Sequence, residues 1–321
     1  MDGQNWISNP QPKLPYHDCV NNCILRQQSI IPDLMPDLRQ AEKLYVTSDY
    51  GGDIGISRVL SYSFLFIDVG SFEHWDGLQK VFREETSANT RLFKYSNITD
   101  EEIPFLEILL KIAGQLSGLL ITFVVSKELE SLHGSKGLLD YDQLQTEPFV
   151  DYTAEDKEKI FRIGSLMGLV MGALTKENQS ILWIPDKDNT TNNIIRLPAV
   201  RNKIKDITGN MREHKLTWNE PNDLVEAQST LHIEDLNSIA DLAAGSSARY
   251  FSARIEQNLM FENLITPAWP TNLPDKVRPI INWLLDASNL KKKTFYFFKA
   301  DQKEDKQLRD LAFYFNNIRT F

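Results

Sequence analysis

The sequence predicts a mixed α/β protein: a sheet flanked by helices, with an N-terminal arm and a small C-terminal α/β appendage. Three observations carry this. Ser61–Val69 (SYSFLFIDV), Leu119–Val125 (LLITFVV) and Ser180–Pro185 (SILWIP) are nearly unbroken apolar runs of strand length, the pattern of strands covered on both faces. Long helical segments alternate with them. Leu44–Asp53 (LYVTSDYGGD) adds a strand that runs into an acid and stops at Gly51-Gly52.

In chain order, residues 1–42 carry Pro10, Pro12, Pro15, Pro32 and Pro36, which interrupt regular periodicity and predict an extended arm packed on the domain or on a partner. Residues 43–265 form the main domain. After the first two strands, Trp75–Glu85 reads as a helix and Arg91–Tyr95 as a short strand-like piece ending at Ser96-Asn97. Asp100 caps a helix over Glu101–Ser117, with acids in its first turn where the helix dipole favours them. Gly118 stops that helix. A polar connection from Lys127 to Asp151 leads to a helix over Ala154–Thr175, whose Gly164, Gly168 and Gly172 recur every fourth residue, a spacing suited to lying close against a sheet. Further helices are predicted near Pro198–Thr208 and over Leu231–Arg254. Pro267, Pro270 and Pro274 then mark a linker. Residues 266–321 form the appendage: a helix (Asp275–Ala287), a strand (Lys293–Phe298) and a final helix (Glu304–Phe315).

Composition narrows the function classes. At 321 residues with a net charge of −9, the chain is not a broadly basic nucleic-acid binder; nucleic-acid contact needs a local basic face, a partner subunit or bound metal ions. The most apolar window, Ile103–Val125, contains Glu107, Lys111 and Gln115 on one helical stripe, the mark of an amphipathic helix and not of a membrane span. The first residues have neither a basic region nor an apolar core, so no signal peptide is expected. These features predict a cytoplasmic protein without a membrane partner. Cys19 and Cys23 with His17 fall short of the four ligands a structural zinc site takes, and unpaired thiols are expected.

Chemistry is sought in the acids. Asp49 ends the first strand, Asp186 follows the last strand of the main domain, and Asp241 lies on the helix after it. Each has a plain reading too: Asp49 and Asp186 as turn residues, in the second case of the segment Asp186-Lys187-Asp188-Asn189. Asp241 lies among small apolar residues, where a carboxylate is costly to bury without a cation or a hydrogen-bond partner. Carboxylates far apart in sequence that meet at one sheet edge suit phosphodiester cleavage by a pair of divalent ions. Asp49, Asp186 and Asp241 are therefore the candidate catalytic and metal-binding residues for Mg²⁺ or Mn²⁺, and Lys94 the candidate phosphate contact. Glu234 and Asp235 read as helix caps or accessory ligands, and Asp68 is an unusual acid in an apolar strand.

The element order, an early β-meander followed by alternating helices and strands, resembles a ribonuclease H-like fold. Tyr45–Asp53, Phe93–Ser96 (FKYS), Leu182–Asp188 and Ser238–Gly245 (SIADLAAG) resemble the motifs of the uncharacterised ribonuclease H-like family called domain of unknown function 3800, over about residues 43–252. That family has Asp-Glu-Ser-Gly after its first strand; here Asp49-Tyr50-Gly51-Gly52 stands there, with Asp53 as the nearest substitute acid, and Ser238 replaces a Gln. The resemblance implies a metal-dependent nuclease in a bacterial phage-defence or mobile-element setting, acting on nucleic acid. The alternative is a catalytically reduced member serving as a regulatory or interaction subunit, with a protein partner or a second copy.

Overall fold

The computed structural model describes residues 5–7, 15–53, 55, 57–86, 93–129, 152–185, 198, 201–202, 205, 217–218, 230–259, 269–297 and 313–315. A sheet of five strands, extended by two short edge strands, forms its centre. β1 (Lys43–Gly51), β2 (Val59–Asp68) and β3 (Gly118–Ser126) make an antiparallel meander. β4 (Ser180–Pro185) joins the other side of β1 in parallel, and β5 (Thr217–Trp218) follows it. Beyond β3 lie β6 (Lys291–Phe297), parallel to it, and β7 (Phe313–Phe315), antiparallel to β6. The order is β5-β4-β1-β2-β3-β6-β7.

Alternation along the strands divides the core into two layers. Leu44, Val46, Phe64, Phe66, Ile121 and Phe123 face one cluster, built with α1 (Pro15–Gln28) and α4 (Ala154–Leu174). Tyr45, Leu65, Ile67, Leu120 and Val124 face the other. That second layer holds α2 (Phe72–Glu85), α3 (Ile103–Ala113), α5 (Thr230–Glu256) and α6 (Val277–Leu285). Thr153 and Asp156 close a capping box at the start of α4, and Thr99 and Glu102 do the same ahead of α3, satisfying amide donors the first turn leaves open. The turn after β1 needs glycine at 52: its φ is +88°, and a Cβ there would stand 2.1 Å from the Val59 carbonyl oxygen.

Several expectations are corrected. The N-terminal segment is not extended: Pro15 opens α1, a position where its missing N–H costs nothing. It does pack on the domain, as expected: Trp6, Val20, Ile24, Leu34 and Met35 are core residues, and Gln179 donates to the carbonyls of Leu38 (2.7 Å) and Ala41 (2.8 Å). The C-terminal segment is not an appendage, because β6 hydrogen-bonds to β3 along its whole length. Residues 313–315 form an edge strand where a helix was expected; the remainder of that predicted helix lies outside the described residues. Of the strand expected over Arg91–Tyr95, residues 91–92 lie outside the described residues, Phe93 and Lys94 are in no strand, and Tyr95 opens a 3₁₀ turn, Tyr95–Asn97. Lys276 ties the turn down, its ammonium donating to the carbonyls of Tyr95 (2.7 Å) and Ile98 (3.1 Å). The predicted helix near Pro198–Thr208 falls mostly outside the described residues. Among the described residues, no helix is long and apolar enough to cross a membrane.

Candidate functional site

The site is built where β1 runs under α5. Odd-numbered residues of β1 face that helix. The Tyr45 hydroxyl donates to Asn237 Oδ1 (2.8 Å). Six residues on, the backbone at Gly51 lies so close to α5 that a Cβ there would stand 2.9 Å from the Ala244 carbonyl oxygen and 3.3 Å from the Gly245 nitrogen. These two contacts bracket Asp49 on the strand and Asp241 on the helix. Asn237, Asp241, Ala244 and Gly245 share one stripe at helical spacing, so the small residues after Asp241 let the helix approach the strand end that carries Asp49.

Asp49 is 7% exposed, and one of its carboxylate oxygens accepts the Tyr50 N–H. Opposite it on β2 stands Ser63, whose hydroxyl bonds Thr122 on β3 (2.8 Å), and Thr122 in turn pairs with Thr294 on β6. A polar row therefore crosses four strands beneath the helical layer, starting at Asp49.

Asp241 is half-buried and accepts the backbone N–H of Tyr95. The Tyr95 ring lies over Gly245, where a Cβ would come within 2.3 Å of its Cδ1, and Lys276 sits 4.7 Å above the ring centroid. Burial, aided by the Asp241 charge and opposed by Arg249, pushes the Tyr95 hydroxyl up to about 12. Lys94, half-buried, precedes this turn and is adjacent in sequence to the amide that Asp241 holds. The FKYS segment and the helix motif are thus joined through Asp241 and Gly245. Asp186 lies outside the described residues; β4 ends one residue before it, with Pro185 paired to Ser48. Among the described residues, no group of three or more His, Cys, Asp or Glu side chains forms a metal-binding cluster.

Tyr50 pairs with Tyr62 and faces the α1/α4 layer, opposite to Asp49. Its hydroxyl hydrogen-bonds with Ser48 Oγ (2.8 Å), and Lys159 of α4 lies 5.1 Å from its ring centroid. An acid at 50 would point at Lys159, not at Asp241. Asp53 is ion-paired with that same lysine, so it is engaged on the α4 side.

Two other acids have structural posts. Asp68 caps the turn after β2, accepting the Gly70 N–H (2.9 Å). Asp235 is no helix cap. It is 0% exposed and receives Arg83 through two nitrogens, together with the Gln79 amide. The sequence reading missed this cluster; Gln79 and Arg83, four apart on one face of α2, were its only local trace. Cys23 is not in a disulfide.

No protein-family model matches the chain, and no curated protein matches its sequence.

Proposed function

We propose that the chain is a metal-dependent phosphodiesterase acting on nucleic acid, a nuclease of ribonuclease H-like fold akin to domain of unknown function 3800. The observation that carries this reading is the close seating of α5 on the end of β1, which brings the Asp49 and Asp241 segments to one face. The strand order also supports it: an antiparallel meander, then strands added in parallel on the far side of β1, then the helix bearing the last acid. Two carboxylates fit Mg²⁺ or Mn²⁺, which take few protein carboxylates and complete their shell with water and substrate phosphate; Asp186 is the third ligand in this reading. The bound ions would supply an activated water and charge stabilisation at the leaving oxygen.

The chain's own residues do the positioning. The Tyr95 N–H fixes one oxygen of Asp241, and the Tyr50 N–H one oxygen of Asp49, so neither carboxylate needs to reorganise when a cation arrives. Lys94 is assigned to a substrate phosphate. A cytoplasmic location and a phage-defence or mobile-element setting accompany this reading.

The second reading, a reduced member acting as an interaction subunit, draws on one observation: Asp241 already has structural work in holding the Phe93–Asn97 segment to α5. Cleavage of single-stranded, double-stranded and hybrid oligonucleotides in Mn²⁺ separates the two. The nuclease reading expects cleavage that drops at least about 100-fold in Asp49→Asn and Asp241→Asn with the fold intact, the scale of losing a preorganised electrostatic group. Activity unchanged in both variants overturns this site, and no cleavage of any substrate favours the interaction subunit.

A further inference from the structure

A cavity of about 580 Å³ opens between α3, α6 and the start of β6, within the size range of small-molecule sites. The stripe Glu107, Lys111 and Gln115 forms one wall. From the sequence alone this stripe is a solvated helix face; in the fold it looks across at Asn282 and Trp283 of α6, with Asp286 beyond the helix end. Leu110 and Pro279 add apolar surface. At the base is Lys292, only 2% exposed. Its ammonium donates to Ser288 Oγ (2.7 Å) and lies 4.6 Å from the Trp283 ring centroid.

A buried lysine of this kind is costly. Burial pulls Lys292 down to about 8, with the Asp286 charge opposing. The charges facing it are Lys111 and Glu107 from α3 and Asp286 from the α6–β6 connection; α6 contributes none to the lining. The lining therefore holds two carboxylates and two ammonium groups. A simple anion would meet Glu107 and Asp286, and a simple cation would meet Lys111 and Lys292. A molecule with both charged groups attached to one carbon, and an apolar group for Trp283, Leu110 and Pro279, meets neither conflict.

We propose that this cavity binds a small zwitterion, an α-amino acid with an apolar side chain. Its carboxylate is held by Lys292 and Lys111, and its ammonium by Glu107 and Asp286. The site is separate from the Asp49–Asp241 face and does not depend on the nuclease reading.

Calorimetric titration of the full chain tests this with L-phenylalanine as the probe, against 3-phenylpropionate (no ammonium) and phenethylamine (no carboxylate). Phenylalanine is expected to bind saturably and each truncated analogue at least about tenfold more weakly. Lys292→Met and Glu107→Gln each weaken phenylalanine by at least about tenfold; Glu107 is exposed, so its variant keeps the fold intact should Lys292→Met not. Absence of saturable phenylalanine binding at millimolar concentration, equal binding of either analogue, or unchanged affinity in Glu107→Gln overturns the proposal.

Discussion

Removing the Asp235 carboxylate should cost more than any other single polar deletion on α5. Asp235 is fully enclosed, and the Arg83 side chain is 5% exposed. One carboxylate oxygen takes the Gln79 amide and the Arg83 Nε (2.9 Å), the other the Arg83 Nη2. Asp235→Ala takes away a carboxylate paired with the buried Arg83 guanidinium, a loss of about 3–5 kcal/mol. The Gln79 donor left without this acceptor adds about 1–3 kcal/mol when relaxation does not relieve it. For a chain of this size, the loss corresponds to a melting temperature lower by on the order of 10 °C. Urea unfolding followed by circular dichroism measures it. The mechanism also fixes a compensated variant. Gln79→Leu, Arg83→Met and Asp235→Leu together remove these three side chains, and apolar replacement of a buried ion pair is often neutral or stabilising. If Asp235→Ala costs less than about 1 kcal/mol, or the triple variant is as unstable as the single one, the cluster does not hold α5 against α2 as argued.

Three further outcomes follow from the same geometry. Lys292 and Lys293 are both pulled to about 8 by burial, below the ordinary lysine value of 10.5; the unfolded chain then binds more protons between those values, so stability rises with pH from about 8 toward 10. Urea midpoints across that window should show the rise, and Lys292→Met should flatten it. Above about pH 10 the trend reverses, because Tyr95 and Tyr296 are pushed up to about 12 and the unfolded tyrosines lose protons first. Gly245→Ala drives a methyl into the Tyr95 ring; overpacking of about 1–3 kcal/mol outweighs the roughly 1 kcal/mol helix-propensity gain, and hydrogen exchange at the Tyr95 amide should quicken. Tyr50→Glu puts an acid beside Lys159 on the α4 side and should leave any Mn²⁺-dependent cleavage within about twofold of the parent, since a distant, uncoupled site contributes little; a large gain would show that this face does serve the site.

The parts of the fold legible in the sequence were those written in local pattern. Ser180–Pro185 is a strand with the bounds its apolar run predicts, and α3, α4 and α5 match their periodic segments to within a few residues. What escaped depended on partners distant in the chain. Lys291–Phe297 reads as a strand only from its Thr294–Phe297 end, after three lysines, and nothing local says that its neighbour is β3. The N-terminal prolines were read as breakers throughout, although Pro15 sits where a helix tolerates proline best. The site divides in the same way. Asp49 and Asp241 were visible from their positions at a strand end and on a helix of small residues, and Asp186 lies outside the described residues. The Arg83–Asp235 pair was invisible because its halves are 152 residues apart in the chain, on helices that meet only in the fold. The facing of Tyr50 follows from strand alternation, since residues 49 and 50 of one strand point to opposite sides.

The pairing of β3 with β6 also bears on how the protein is made. All nine residues of β3 are buried, yet the strand that covers its outer edge is synthesised only after the helices α4 and α5. Until then a nascent chain carries an apolar strand with an open row of amides and carbonyls, the kind of edge that recruits other chains. Completion of the sheet waits on a contact between distant segments, a slow class of folding event. A ribosome that stops short of residue 291 would release a product with that edge permanently open. Such fragments should depend on chaperones and aggregate when these are scarce, whereas a chain that includes β6 seals that edge of β3.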